Sequence, residues 1–182
     1  STNEDSNWGR FGDNITLSFS TSEAIQDPSD NITIEGLTGI VVVGNDNKTE
    51  WAATGQVASN ATGMANYSIS VQDLTGNVAN PVTSSTSINL DTDKPSLQNV
   101  VLTTTNDNDS YAKEGEDLTL SFNVVGGEII QSPTVLIENQ NVSATLSEGV
   151  WEATYPVTAT DNGTADFLIE FADEAGNLGD NV

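Results

Sequence analysis

Apolar and polar residues alternate with a period of two over short runs along the whole chain. Ile15, Leu17 and Phe19 alternate with polar residues, and the same alternation returns in segments 51–58 and 65–72. Short alternating runs that are separated by Gly, Asn, Asp, Ser and Thr clusters are typical of β-strands with one buried face. The pattern therefore predicts an all-β protein.

The alternating runs occupy similar places in the two halves of the chain. About seven short strands in a domain of roughly 100 residues indicate an immunoglobulin-like sandwich. In the first half, strands B, C, E, F and G are predicted at 14–20, 31–35, 51–58, 65–72 and 82–90. In the second half, strand A is predicted at 97–104 and is followed by a loop at 105–116. We predict two tandem immunoglobulin-like β-sandwich domains.

The two halves are also related in sequence. The motif GDNITLSF at 12–19 returns as GEDLTLSF at 115–122, and DLTGN at 73–77 returns as DEAGN at 173–177. A period near 100 residues indicates tandem domains rather than a solenoid of short repeats. An acidic turn and Pro95 follow the last predicted strand of the first half, and they predict a short, stiff linker. We place the domains at 1–91 and 92–182.

Both ends of the chain are out of phase with the predicted sandwich. Ser1 aligns with Thr104, which follows strand A of the second domain, and Val182 aligns with Val82, where strand G of the first domain begins. We therefore expect domain 1 to lack its own strand A and domain 2 to lack its own strand G. Two explanations are open, namely a segment of a longer array and a subunit that a neighbour's strand completes.

Charge and missing residue types exclude several function classes. The 182 residues contain 4 Lys and Arg against 27 Asp and Glu, a net charge of −23. This charge argues against nucleic acid and against an anionic membrane surface as partners. No apolar run is long enough for direct membrane insertion. The chain has no His and no Cys, which excludes Ser-His-Asp and Cys-His catalysis and thiolate zinc sites. We predict that the protein is not an enzyme.

Acidic residues are expected to converge where the two domains join. In a sandwich, the end of strand G lies beside the A–B loop, and the start of strand A lies beside the next domain's B–C and F–G loops. The candidate ligands at this junction are Glu4, Asp5, Asp91, Asp93, Glu128, Asp173 and Glu174. Closely spaced carboxylates repel unless a cation intervenes, and hard oxygen ligands suit Ca²⁺. The alternative is that a chain with this charge carries acids in every loop.

A second cation site is predicted in the loop that precedes strand B of domain 2. Its candidate ligands are Asn106, Asp107 and Asp109. A polar turn explains these residues as well as bound Ca²⁺ does. The repeated DxxGN motif also has two interpretations. Asp73 and Asp173 cap an F–G hairpin through their side chains in one interpretation, and they are calcium ligands in the other.

Potential N-glycosylation sequons of the form N-x-S/T occur in both predicted domains. They begin at Asn14, Asn31, Asn47, Asn60, Asn66, Asn108, Asn141 and Asn162. All eight fall in predicted loops or at outward positions of strands, where a glycan can attach. Polar Asn residues are equally expected at these positions without a glycan.

The aromatic residues at equivalent places of the two repeats are expected in the core. Trp51 and Trp151 each begin an alternating strand, which favours burial over a sugar-stacking role. Trp8 lies in a predicted loop and aligns with Tyr111. Exposure of Trp8 and a role as a plug over the end of the sandwich are both open.

The chain resembles the Ig-like repeats of large microbial surface proteins, both giant adhesins and surface-layer (S-layer) proteins. The residues that carry this resemblance are Gly12-Asp13 and Gly115-Glu116 before TLSF, the SEAI segment at 22–25, the DxxGN turns and the DTDKP linker. The resemblance extends over essentially the whole chain. It implies an extracellular, non-catalytic array, often stabilised by calcium, and this fold serves as spacer, lattice unit or binder alike.

These observations lead to one functional expectation and two alternatives. We expect a non-catalytic structural segment of an extracellular cell-surface repeat protein, such as an S-layer or an adhesin stalk. The expected partners are neighbouring copies or flanking Ig-like domains of the same protein, and divalent cations. The alternatives are a calcium-dependent adhesive module that binds glycan or protein, and a filament subunit that exchanges a donor strand.

Overall fold

The chain folds into two compact units, Ser1–Asp93 (unit 1) and Lys94–Val182 (unit 2). The computed structural model describes residues 1–84, 86 and 88–182. The predicted strand at 82–90 includes residues 85 and 87, which lie outside this description. The units meet two residues beyond the predicted boundary after residue 91.

Unit 1 contains nine described strands and one short 3₁₀ helix, Ser29–Asn31. The strands are β1 (Trp8–Gly9), β2 (Asn14–Ser20), β3 (Ile32–Ile34), β4 (Leu37–Gly44), β5 (Glu50–Val57), β6 (Gly63–Met64), β7 (Tyr67–Ile69), β8 (Val82–Ser84) and β9 (Asn89–Leu90). They form sheets in the orders β2-β5-β4, β3-β7-β8 and β1-β9-β6. Only β1 and β9 among these described pairs run parallel.

Unit 2 contains seven described strands and a 3₁₀ turn at Val125–Gly127. The strands are β10 (Leu97–Thr104), β11 (Asp117–Val124), β12 (Thr134–Ile137), β13 (Gln140–Val142), β14 (Ala144–Ser147), β15 (Val150–Pro156) and β16 (Phe167–Glu170). They form a four-stranded sheet, β10-β11-β15-β14, and a three-stranded sheet, β13-β12-β16.

Each unit encloses its own hydrophobic core between two sheets. In unit 1, Ile15 of β2 and Ala53 of β5 pack with Ile34 of β3 and Ile69 of β7. In unit 2 the core is built largely from alternate residues of the facing strands, and its fully buried members are Leu120, Phe122, Val135, Ile137 and Ile169. The alternation that is visible in the sequence is therefore the alternation between core and solvent.

The strand order identifies the sandwich type. The order β10-β11-β15-β14 corresponds to strands A, B, E and D of an immunoglobulin-like fold, and β3-β7-β8 corresponds to C, F and G. The prediction of an all-β chain with two tandem immunoglobulin-like sandwiches is confirmed. Trp51 and Trp151 are both buried, as predicted, and the Trp151 ring stacks on Phe122 with a centroid distance of 6.4 Å.

Three strands were missed by the sequence pattern. β4 carries apolar residues on both faces, because Val41 and Val43 are exposed while Ile40 and Val42 are half-buried. This arrangement removes the period of two on which the prediction relied. β13 and β14 are only three and four residues long. The expectation that Trp8 lies in a loop was wrong, since Trp8 forms β1 and pairs with Asn89 of β9.

Candidate functional site

The DxxGN motif of unit 1 forms a closed hydrogen-bonded turn. The Asp73 Oδ1 atom accepts hydrogen bonds from the backbone N–H groups of Thr75 and Asn77, each at 2.8 Å. The Asn77 side-chain amide donates to Asp73 Oδ2 at 2.7 Å. Gly76 takes a positive φ of 100°, which glycine adopts at no steric cost. The hairpin interpretation of Asp73 accounts for both of its carboxylate oxygens.

The motif of unit 2 repeats this geometry. The backbone N–H and the side-chain amide of Asn177 each donate to the Asp173 carboxylate at 2.8 Å, and Gly176 has a φ of 84°. Asp173 is 1 % exposed, whereas Asp73 is half-buried. Each Asp also bridges the preceding loop, through Ile25 in unit 1 and Ile130 in unit 2. The motif thus joins two loops at one end of each sandwich.

Hydrogen bonding holds the pKa of Asp73 far below its usual range. The side-chain amide of Asn77 is the largest cause, followed by its backbone N–H. Donors that point at a carboxylate favour its charged form and so resist protonation. Asp73 is therefore ionised throughout the physiological pH range and serves as a fixed acceptor in the turn.

The predicted calcium ligands are distributed over both units. In unit 2, carboxylate oxygens of Glu128 and Asp173 lie within 4.8 Å of each other, while Glu174 is exposed. In unit 1, Asp91 follows β9, its N–H donates to the Gly9 carbonyl at 3.0 Å, and its Oδ1 accepts from the Asp93 N–H at 3.0 Å.

The remaining predicted ligands of unit 1 lie in the segment that precedes β1. Glu4 and Asp5 are both exposed, and Asp5 accepts a hydrogen bond from the backbone N–H of Asn7 at 2.9 Å. Calcium binding by the predicted junction residues stays a prediction.

The second predicted cation site consists of residues that are part of a hydrogen-bonded loop. The Asn106 side chain donates to Glu116 at 2.7 Å and accepts from the Asn108 N–H at 2.9 Å. Asp107 and Asp109 are exposed. Within the described residues, neither belongs to a group of three acidic ligands within 4.8 Å. The polar-turn interpretation explains what Asn106 does here.

This loop reveals a structural element that the sequence interpretation overlooked. In unit 1, Asp13 accepts from the side chain of Asn3 at 2.8 Å and from the Arg10 N–H at 2.9 Å. Glu116 of unit 2 accepts in the same way from Asn106 and from the Lys113 N–H, at 2.7 and 2.9 Å. The TN pair ahead of GD or GE is the signal that could have identified it. Asn106 donates the largest contribution that lowers the pKa of Glu116.

All eight sequon asparagines are exposed. Asn66 differs from most of the others because its side-chain amide donates to Glu35 at 2.7 Å. Attachment of a glycan to this nitrogen requires loss of that hydrogen bond. Exposure is a requirement for glycosylation, and use of the sequons stays a prediction.

A shallow groove in unit 2 contains the most perturbed hydroxyl group of the described residues. The Tyr155 hydroxyl donates to Asp161 Oδ2 at 3.0 Å, and burial together with this carboxylate raises the pKa of Tyr155. The Thr158 N–H, which donates at 2.7 Å, is the main cause of the lowered pKa of Asp161. The groove has a volume of about 560 Å³ and is also lined by Asn141. Its polar atoms are used in bonds that close the loop after β15.

No helix among the described residues is long and apolar enough to span a membrane. No protein-family model matches the chain, and no curated protein matches it. Three similar solved structures are the fibronectin(III)-like modules of Clostridium thermocellum CbhA, an ICAM-5 D1–D4 ectodomain fragment and the tandem Ig repeats of Dlar.

The three structures share little sequence with the chain. The CbhA modules have a TM-score of 0.45 at 12% identity, over 96% of this chain and 85% of theirs. The ICAM-5 fragment has a TM-score of 0.35 at 16% identity, over 97% of this chain and 50% of that one. The Dlar repeats have a TM-score of 0.30 at 11% identity, over 96% and 89%. The fold assignment therefore rests on the strand order described above.

Proposed function

We propose that the protein is a non-catalytic structural segment of a cell-surface repeat protein, of the S-layer or adhesin-stalk type. The observation that carries this proposal is the repetition of one architecture in two units, down to the bonds of Asp73 and Asp173 in their turns. Duplication of a scaffold is useful when the scaffold itself is the function, whereas an active site rarely needs duplication. The large negative charge suits a surface that is exposed to salt.

The conserved polar constellations support a structural role. The carboxylates of Asp73, Asp13 and Glu116 accept hydrogen bonds from nearby backbone N–H groups. Acids that are occupied in this way stabilise loops rather than act on a substrate. An extracellular location is part of the proposal and is tested directly.

Surface labelling of source cells tests the proposed location. Antibodies that recognise residues 1–182 are applied to intact cells and to permeabilised cells, followed by electron microscopy with gold-labelled secondary antibody. We expect intact cells to be labelled as strongly as permeabilised ones, in a regular lattice for an S-layer or in scattered projections for an adhesin stalk. Label that appears only after permeabilisation would refute the proposal. A cytoplasmic protein of the same cells provides the permeability control.

Calcium dependence distinguishes the adhesive alternative from a pure spacer. The close approach of Glu128 and Asp173 oxygens in unit 2 is the specific observation that favours it. Because a ligand that binds the folded state stabilises it in proportion to its occupancy, calcium should raise the melting temperature of a calcium-binding protein. Melting is compared in calcium and in chelator for the wild type and for Asp91→Asn with Asp93→Asn. Equal melting of the wild type in both conditions would leave these acids as solvated charge.

A further inference from the structure

The outer side of β2 in unit 1 differs from its counterpart in unit 2. In unit 2, β11 lies between β15 and β10, whereas in unit 1 the equivalent β2 pairs with β5 on one side. No strand of the described residues pairs with the other side of β2. We call the stretch Thr16–Ser20 of that side the open edge. Unpaired strand edges are templates for the addition of another strand.

Backbone hydrogen bonds show which groups face the open edge. The Thr2 N–H donates to the Asn14 carbonyl and the Asn14 N–H donates to the Thr2 hydroxyl, both at 2.9 Å, so the Asn14 backbone points away from β5. Bonding directions alternate along an antiparallel strand. The N–H and carbonyl groups of Thr16, Ser18 and Ser20 therefore point to the open edge, while Ile15, Leu17 and Phe19 face β5.

Side-chain burial shows that the open edge has an apolar side to cover. Leu17 and Phe19 of β2 are half-buried, whereas the equivalent Leu120 and Phe122 of β11 are completely buried. In unit 2, partly buried side chains of β10 pack on that core, namely Leu97, Val100 and Leu102. The difference is what an absent neighbouring strand leaves behind.

We propose that the open edge of unit 1 binds an extended, uncharged segment of another polypeptide as an antiparallel strand, with alternate apolar residues placed over Leu17 and Phe19. The structure contains the template for this occupant. β10 pairs with β11 in the registers Val101↔Ser121 and Thr103↔Thr119, and Ser18 and Thr16 are the corresponding residues of β2. The open edge carries no charged side chain, and an acidic segment would be repelled by a chain of net charge −23.

The other end of the site is set by the chain itself. Thr2 bonds to Asn14 as Thr105 bonds to Asp117, at 2.9 and 3.1 Å. The added segment must therefore end before the position opposite Asn14. This leaves a short site that binds through a few main-chain hydrogen bonds and two apolar contacts. The proposal does not depend on a cell-surface location, so its failure and the failure of the proposed function are separate outcomes.

The test uses a synthetic peptide with the sequence of residues 96–103, titrated to about 1 mM into the full chain. Amide exchange is followed by NMR. We expect one peptide per chain and new protection of the amides of Ser18 and Ser20. The amides of Leu17 and Phe19 should change little, because they already bond to β5. Absence of binding, or protection confined to β11 or to other strands, would overturn the proposal.

Matched peptides test the main-chain geometry without a change in the protein. N-methylation at Val101 removes an N–H that faces the open edge, and N-methylation at Leu102 removes one that faces away. We expect the first to weaken binding at least tenfold and the second to leave it nearly unchanged. Equal effects would mean that the peptide does not add as a strand in this register.

A matched pair of protein variants locates the site on β2. Ser18→Pro removes the N–H at the centre of the open edge, while Ser18→Ala changes only the side chain. A proline on a strand edge loses no ladder bond to β5. We expect Ser18→Ala to bind like the wild type and Ser18→Pro to lose binding, with circular dichroism reporting the folding of both. If Ser18→Pro fails to fold, the peptide pair decides. A peptide-free dimer that pairs β2 with β2 of a second copy, detected by sedimentation, would also overturn the proposal.

Discussion

Asp73 illustrates how one carboxylate organises a turn in this protein. Its two oxygens accept four hydrogen bonds from Thr75 and Asn77, and these bonds hold its pKa below the ordinary value of 3.8. A depressed folded pKa contributes stability that is fully present above the ordinary value. That contribution is lost as the pH falls toward the folded pKa.

We therefore expect Asp73→Ala to melt below the wild type at pH 7, and the difference to shrink as the pH falls below 3.8. Calorimetry of the full chain between pH 7 and pH 2 measures both effects. Asp30→Ala is the control, since Asp30 is exposed and the structure gives it no side-chain hydrogen bond among the described residues. A difference that stays constant down to pH 2 would show that the charge of Asp73 does not stabilise the turn.

The paired phenylalanines of β2 and β11 test how much the neighbouring strand matters. Phe122 is completely buried and stacks on Trp151, whereas Phe19 is half-buried. Truncation of a buried Phe typically lowers the free energy of unfolding by about 3–5 kcal/mol. We expect Phe122→Ala to fall in that range and Phe19→Ala to cost about half as much or less. Urea denaturation followed by NMR signals of each unit gives the two values, and equal losses would contradict the comparison.

β4 depends on a close approach between its last residue and the core of unit 1. Gly44 pairs with Trp51 of β5, and a Cβ atom at position 44 would lie 2.6 Å from the Trp51 ring. This explains why a glycine ends a strand that otherwise carries β-branched residues. The alternation in sequence predicts where side chains point, but it contains no information on such a contact across strands.

We expect Gly44→Ala to displace the Trp51 ring and to lower the free energy of unfolding of unit 1 by about 1–3 kcal/mol. The indole N–H of Trp51, which donates to the Lys48 carbonyl at 3.2 Å, should shift in the NMR spectrum. Val43→Ala is the matched control, because Val43 is 64% exposed on the same strand. An unperturbed indole signal in Gly44→Ala would rule out the contact.

Each unit carries its own core, and this organisation predicts the mechanical response of the whole chain. The core residues of unit 1 and those of unit 2 form two separate clusters. When the chain is stretched between its ends, we expect two unfolding events, each releasing about 30 nm at roughly 0.35 nm per residue. Single-molecule force spectroscopy measures these lengths. One event of about twice that length would show that the units unfold as a single body.

The sequence by itself determined the all-β class, the tandem organisation and the hairpin role of DxxGN. These features are local or repeated, so alternation, turn residues and self-similarity are sufficient to reveal them. The buried positions of Trp51 and Trp151 followed from the same alternation.

Only the tertiary structure decided which strands become neighbours and what each polar group bonds to. β4 and β14 were hidden because exposed valines and short length obscure the period of two. The bonds from Asn3 to Asp13 and from Asn106 to Glu116 join residues that are ten positions apart in the chain. The open edge of β2 is likewise a property of pairing. Main-chain pairing and burial depend on neighbours that are distant in sequence, and a one-dimensional pattern does not specify them.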